Sequence, residues 1–161
     1  MINEAKEVLH QQFKVKDLGK LRYFLVIEIL RSQHGILLNQ RKYTLELILE
    51  LGLSGGNSAV TPLEINQKLT SLEYDKEARV QGDDPIVDIT GYQKLIGKLL
   101  YLIVTRPDIS YAVQNLSQFM QAPKKSHIDA AIRVVTYLKA TPGMRVLMHM
   151  ESTETLLGFC D

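Results

Sequence analysis

The stretch Lys20–Ile29, KLRYFLVIEI, alternates when every second residue is read. Leu21, Tyr23, Leu25, Ile27 and Ile29 fall on one side, and all are large and hydrophobic. Lys20, Arg22, Phe24, Val26 and Glu28 fall on the other, which is mixed. Strand residues alternate between two faces, so the pattern predicts one strand with a buried face and a face open to water, a second layer or a polyanion.

Working outward, residues 3–13 read as a short amphipathic helix with Ala5, Val8, Leu9 and Phe13 on one side. SQHG then reverses the chain into ILLN, so residues 21–38 read as a hairpin. Asn39 is placed to cap a helix over 40–51, with Tyr43, Leu47, Ile48 and Leu51 as its stripe and Gly52 as its stop. Residues 53–88 are rich in breakers and charge with little periodicity, and are expected to form a loose connection. The second half is more regular. Tyr92, Leu95, Ile96, Leu99, Leu100 and Ile103 make one helical stripe. Ile109, Ala112, Val113, Leu116, Phe119 and Met120 make another, and Ile128, Ala131, Ile132, Val135 and Leu138 a third. Pro107 and Asp108 suit the first turn of the second helix, and Ser126 with Asp129 reads as a capping pair for the third. Residues 144–161 read as two short strands joined by a polar turn. The fold class is therefore α+β.

Composition sets outer limits. The chain has 161 residues, 45% hydrophobic and 23% charged, as ordinary globular domains are. Its apolar runs fall short of the ~20 residues that span a bilayer, so no membrane partner is expected. Early acids and a broken apolar pattern argue against a secretory leader. The single cysteine, Cys160, rules out an internal disulfide framework and fits a reducing, intracellular compartment. The net charge of +1 conceals a pattern of alternating sign. Residues 14–42 hold seven bases against Asp17 and Glu28, and residues 94–145 hold eight against Asp108 and Asp129. Residues 64–88 between them hold seven acids against three bases. Clustered cations can bind phosphates by releasing counterions; the plainer reading is a solvated surface.

No motif carries self-contained chemistry. There is no Gly-rich phosphate loop and no Gly-x-Ser-x-Gly elbow, and the four histidines lack metal-ligand spacing. Asp83-Asp84 is the one adjacent carboxylate pair, but it sits in the loop-like QGDDP, and a Mg²⁺ site needs rigid support. Asp108 reads as a helix cap rather than as a catalytic group.

Several segments then align with one family. FKVKDLGKLRYFLVIEI, GILLNQRKYTLELILELGL, VTPLE, TRPDISYAV, SHIDAA, TYLKATPG and LLGFCD closely resemble, in collinear order, the reverse transcriptase region of copia-type LTR retrotransposons. The resemblance implies RNA-directed DNA synthesis by the parent protein. It also implies that the Tyr-x-Asp-Asp motif holding the catalytic Mg²⁺ lies upstream, so this chain is expected to be inactive alone. It implies four regions: 1–65 as the end of the palm with a primer-grip-like hairpin, 66–88 as a flexible acidic linker, 89–143 as a helical thumb or connection bundle, and 144–161 as the truncated start of an RNase H domain. Arg22, Phe24, Val26 and Glu28 would form the primer-grip-like face. Lys14, Lys16, Lys20, Lys94, Lys98, Lys124, Lys125, Arg133 and Lys139 are the candidate phosphate contacts. Asp161 would be an incomplete RNase H metal ligand. The expected partners are an RNA–DNA heteroduplex or primer–template, and the rest of the polymerase. The rival readings are a non-catalytic nucleic-acid-binding module and a degenerate relic. Departures from the family pattern favour drift: Val26 replaces the glycine of FLGIEI, Asn57 stands where a base is common, and Thr136 and Ala140 replace Arg and Gly.

Overall fold

The computed structural model describes residues 2–16 and 19–150, with side chains from Glu4 onward. The element order is α1 (Ile2–Gln12), β1 (Tyr23–Phe24), β2 (Ile27–Ser32), β3 (Gly35–Asn39), α2 (Arg41–Glu50), α3 (Leu72–Ala78), α4 (Ile89–Leu102), a 3-10 turn (Pro107–Ile109), α5 (Ser110–Ser117), α6 (Lys125–Leu138) and β4 (Arg145–His149). The four strands form one antiparallel sheet in the order β1-β2-β3-β4. The mixture of helix and antiparallel sheet agrees with the α+β reading.

The core is helical. All sixteen fully buried apolar residues come from α2, α4, α5 with its leading turn, and α6, and no strand contributes one. Each fully buried Val, Leu or Ile contributes about 1.5–3 kcal/mol, so the helices dominate stability. The expected stripes fall largely on this core, with small rotations. Leu102 is buried where Leu100 was expected, with Ile103 half-buried against the core, and α6 turns Ala130 and Val134 inward in place of Ile132, with Ile128 half-buried beside them. Gly52 (φ +68°) ends α2 as expected, with Leu53 N–H donating back to the Ile48 carbonyl at 2.9 Å.

The opening stretch is not one strand. Phe24 pairs with Ile27 and Tyr23 with Glu28, so Leu25 and Val26 form a two-residue hairpin turn. Both have positive φ, +45° and +59°, as a type I′ turn demands. A two-residue turn flips parity: Phe24 now shares a face with Ile27, and Tyr23 with Glu28. The single apolar face expected from the alternation is thereby split, and Leu21, Tyr23 and Leu25 are exposed rather than core. Asn39 is not a helix cap; it ends β3 opposite Glu28 and Arg145, and Gln40 occupies the N-cap position of α2 without a side-chain cap.

Residues 66–88 are a second correction. They contain α3, capped by Ser71, whose hydroxyl accepts from Tyr74 N–H at 3.2 Å. Pro85 bridges to Lys124, and Ile86 N–H donates to the Pro123 carbonyl at 3.1 Å. The segment is held against the start of α6, not loosely strung between two halves. At the other end, the first strand of the expected C-terminal hairpin is β4, but its partner is β3. The second strand of that hairpin, with Cys160 and Asp161, lies outside the described residues, as does Asp17.

Candidate nucleic-acid interface

The ten cations singled out from the sequence divide into two groups. Lys14, Lys16, Lys20, Arg22, Lys94 and Lys125 are exposed and form no ion pair among the described residues. Lys20 and Arg22 line an open groove together with Gly19, Leu21 and Tyr23. The remaining four hold the fold together. Lys98 pairs with Glu50. Arg133 pairs with Glu64 at 3.0 Å and reaches the Thr61 hydroxyl at 3.3 Å. Lys139 donates to the carbonyls of Gly55 and Gly56.

Lys124 is the clearest correction. Its side chain is 1% exposed and its ammonium lies between Asp75 and Asp83, with the Thr70 hydroxyl at 2.9 Å. The positive charge is already compensated inside the protein, so a phosphate has no access to it. Burial disfavours the charge, but the hydrogen bonds that the ammonium donates to both carboxylates outweigh it and hold the Lys124 pKa above the ordinary lysine value. Asp75 is held below the usual carboxylate range by the hydrogen bond from Lys124, then by that from Thr70. Burial would raise Asp83, yet bonds from Ser126 and Lys124 lower it.

Asp83 also explains how α6 begins. Its carboxylate accepts from Ser126 N–H at 2.9 Å and from Ser126 Oγ at 2.6 Å. The cap comes from a loop 43 residues away, and the expected Ser126–Asp129 cap does not form. Asp83 is thus committed to Lys124 and Ser126, and the Asp83-Asp84 pair does not fit a Mg²⁺ ion. Among the described residues no group of three or more His, Cys, Asp or Glu could hold a metal.

His127, noticed in the sequence only as one of four scattered histidines, completes this cluster. It is fully buried and stacks on Phe119 with ring centroids 3.9 Å apart. Its Nδ1 accepts from Lys124 N–H at 3.0 Å, which puts the ring proton on Nε2, facing the Thr70 carbonyl at 3.1 Å. Burial, then the nearby Lys124 charge, lower its pKa. The available signal was position: His127 lies three and four residues before Ala130 and Ala131, on the inward stripe of α6.

A second polar network joins three of the distinctive motifs. Arg106, 1% exposed, makes a bidentate pair with Asp108 at 2.9 and 2.6 Å and donates to the Thr141 carbonyl at 2.9 Å. The Tyr137 hydroxyl donates to Asp108 at 2.9 Å. Burial opposes ionisation of Asp108, but Arg106 and Tyr137 together hold its pKa down. The neighbouring Thr105 hydroxyl donates to Gln40 Oε1 at 2.7 Å. LLNQRKYT, TRPD and TYLKATPG therefore converge on a structural lock, and Asp108 is a counter-ion rather than a cap or a catalyst.

On the primer-grip-like face, Arg22 and Phe24 are exposed on β1 and its approach, while Val26 and Glu28 are half-buried across the turn. They do not share one face, for the parity reason given above. No helix among the described residues is long and apolar enough to cross a membrane.

A helical core carrying an antiparallel sheet, two buried ion-pair locks and a fringe of exposed cations defines an α+β protein. Comparison with known sequences adds the lineage. The family described as "Reverse transcriptase (RNA-dependent DNA polymerase)" matches residues 1–65. The chain is 35% identical over its full length to the Pol polyprotein of transposon RE1 from Arabidopsis thaliana, of which it spans 10%. It is 30% identical, again over its full length, to the Pol polyprotein of transposon TNT 1-94 from Nicotiana tabacum, of which it spans 12%. It is 32% identical over 95% of its length to the Arabidopsis mitochondrial protein AtMg00810, covering 60% of that protein. No solved structure matches. Over its full length the chain is similar to Pol polyproteins of copia-type retrotransposons, and its first 65 residues match the reverse transcriptase family. It spans about a tenth of the length of the transposon polyproteins it matches.

Proposed function

We propose that this chain is the part of a retrotransposon RNA-directed DNA polymerase that holds primer–template, and that it binds nucleic acid without catalysing synthesis. The observation that carries the reading is the division of the cations. In a chain whose full length aligns with transposon Pol polyproteins, Lys14, Lys16, Lys20, Arg22, Lys94 and Lys125 remain exposed and without ion pairs among the described residues. Neutralising Z phosphates with such cations gives an affinity that falls steeply with salt. The Tyr-x-Asp-Asp motif does not occur in this sequence, so nucleotidyl transfer and its Mg²⁺ ions belong to the parent protein, with the rest of the polymerase and its RNase H domain as partners.

The test is fluorescence anisotropy of the 161-residue chain with an RNA–DNA heteroduplex, titrated with salt. The expected result is binding with a steep salt slope, and Lys94→Glu should lower that slope by about 1. Binding that ignores salt would refute the reading. Nucleotide incorporation on a primed RNA template by the pure chain would refute the inactive part of it.

Val26 favours a second reading, a degenerate copy. A β-branched residue sits at φ +59° where the family pattern has glycine. A broad, non-cooperative thermal melt and no heteroduplex binding would support that reading.

A further inference from the structure

We infer that residues 70–84 form a strap, closed on the start of α6 by the Lys124 ammonium and the His127 imidazole, and that acid opens this strap while the helical core stays folded. The inference goes beyond the proposed function and stands whether or not the chain binds nucleic acid. None of the sixteen fully buried apolar residues lies in 53–88. Within 70–84 the one buried side chain is that of Asp75, a carboxylate, and residues 76–82 are exposed throughout. Leu69 and Ile86, just outside the two ends, are half-buried against the core and mark where the strap is hinged. Between those hinges the strap is held by polar contacts, and polar contacts respond to a change of charge.

Those contacts converge on residues 124–127. The Lys124 ammonium donates to Asp75, to Asp83 at 2.9 Å and to the Thr70 hydroxyl at 2.9 Å, and that hydroxyl donates in turn to Asp75 at 2.6 Å. The Asp84 carbonyl accepts from Lys125 N–H at 3.0 Å, and Asp83 accepts from Ser126. His127 uses both ring nitrogens, Nδ1 accepting from Lys124 N–H and Nε2 facing the Thr70 carbonyl. The site therefore needs a ring with one acceptor and one donor, which is the neutral form. Protonating Nδ1 turns the acceptor into a donor, sets it against Lys124 N–H and adds a second cation to an enclosed site. The charged groups that face the ring are Lys124 from α6, Asp75 from α3 and Asp83 from the loop after it, while the stacked Phe119 is neutral. Lys124 already shares both carboxylates, so they are poorly placed to serve an imidazolium as well. With the strap open the ring meets water and titrates near its ordinary 6.5. The open form then binds a proton that the closed form refuses. Each pH unit below 6.5, until the closed ring also protonates, raises the ratio of open to closed about tenfold.

The experiment is amide hydrogen exchange of the full chain, read by NMR from about pH 7.5 to about pH 4.5, above the range in which Asp75 and Asp83 titrate. The strap is reported by the amides of Asp75, Val80 and Lys125, which donate to Ser71, Asp75 and Asp84, and the core by that of Leu99 in α4. The strap amides should be less protected than Leu99 at every pH, and their protection factors should fall about tenfold per pH unit below 6.5 before levelling off. His127→Gln, whose amide supplies one acceptor and one donor, should make strap protection flat over the same range. Lys124→Met should leave the strap amides unprotected at neutral pH, with Leu99 still protected. Equal protection at the strap and at Leu99 would overturn the inference, because the strap would then open only with the whole molecule. So would strap protection that ignores pH in the unsubstituted chain, or a slope that survives in His127→Gln. A Lys124→Met variant that keeps the strap protected, or that loses Leu99 together with it, would overturn the inference as well.

Discussion

Val26 shows how much one side chain can cost. At φ +59° its branched Cβ crowds the backbone, a strain on the order of 1–3 kcal/mol. Glycine adopts that conformation freely, at an entropic cost of roughly 0.5–1 kcal/mol. Val26→Gly should therefore stabilise the chain by about 1 kcal/mol, read as a higher urea midpoint with an unchanged m-value. A lower midpoint would mean the turn is not strained. The glycine of the family pattern thus has a local explanation, a hairpin turn, and close approach of a primer is not needed to account for it. Arg106 is the opposite case, a large side chain that cannot be spared. Arg106→Met leaves Asp108 half-enclosed without its counter-ion and should cost about 3 kcal/mol by the same measurement.

At the scale of elements, the start of α6 is a pH-sensitive joint. His127 is kept neutral in the folded chain, with its pKa below the 6.5 of a free histidine. Below that pH the unfolded chain binds a proton that the folded chain refuses, so stability falls as pH drops through 6.5 and levels off once the folded imidazole also protonates. A second decline follows below 3.8, the free-aspartate value, as protonation removes the contributions of Asp75, Asp83 and Asp108, whose folded pKa values are depressed. Urea midpoints measured from pH 7.5 to 3 should show both limbs. His127→Gln, which keeps a donor and an acceptor, should erase the first limb and keep the second. Survival of the first limb in that variant would assign it to another group. The helix α1 sits at the other extreme. Its side chains from Glu4 onward are exposed, Val8 and Leu9 included, as is Phe13 just beyond it. Its apolar stripe was legible from helical periodicity, but periodicity does not say what covers a stripe.

Across the whole molecule, stability and the proposed binding surface are separated. The buried apolar residues all belong to the helices, while the sheet exposes Leu30, Leu147 and Met148, and the approach to it exposes Lys14, Lys16, Lys20 and Arg22. Regions with few buried contacts open before the core does. Limited trypsin digestion should therefore cut at these four basic residues while the α4–α6 core stays intact. Cleavage there at the same rate as in the core would show that the chain unfolds as one unit. The distinctive motifs of the family fall mostly on the core side of this division. TRPD and TYLKATPG supply the buried Arg106 lock, and SHIDAA supplies Ser126 and His127 to the joint at α6. These motifs carry the likeness to relatives through packing, while the exposed cations carry the proposed contacts with nucleic acid.

The α+β class, the helices that form the core, the Gly52 stop and the similarity to reverse transcriptases were all legible in the linear sequence. Each rests on local periodicity, on a conformational preference of one residue, or on words shared with relatives. Three features were decided only by tertiary structure. The turn at Leu25–Val26 was hidden because hydrophobic alternation runs straight through a two-residue hairpin, and only strand pairing reveals the change of parity. The ordering of residues 66–88 was hidden because its source is distant: Asp75 and Asp83 meet Lys124 across 49 and 41 positions of sequence, where an acidic run alone reads as solvated loop. The sorting of cations into structural and exposed followed the same logic. A lysine's charge is written in the sequence, but whether an acid already neutralises it depends on which segments the helical core brings together.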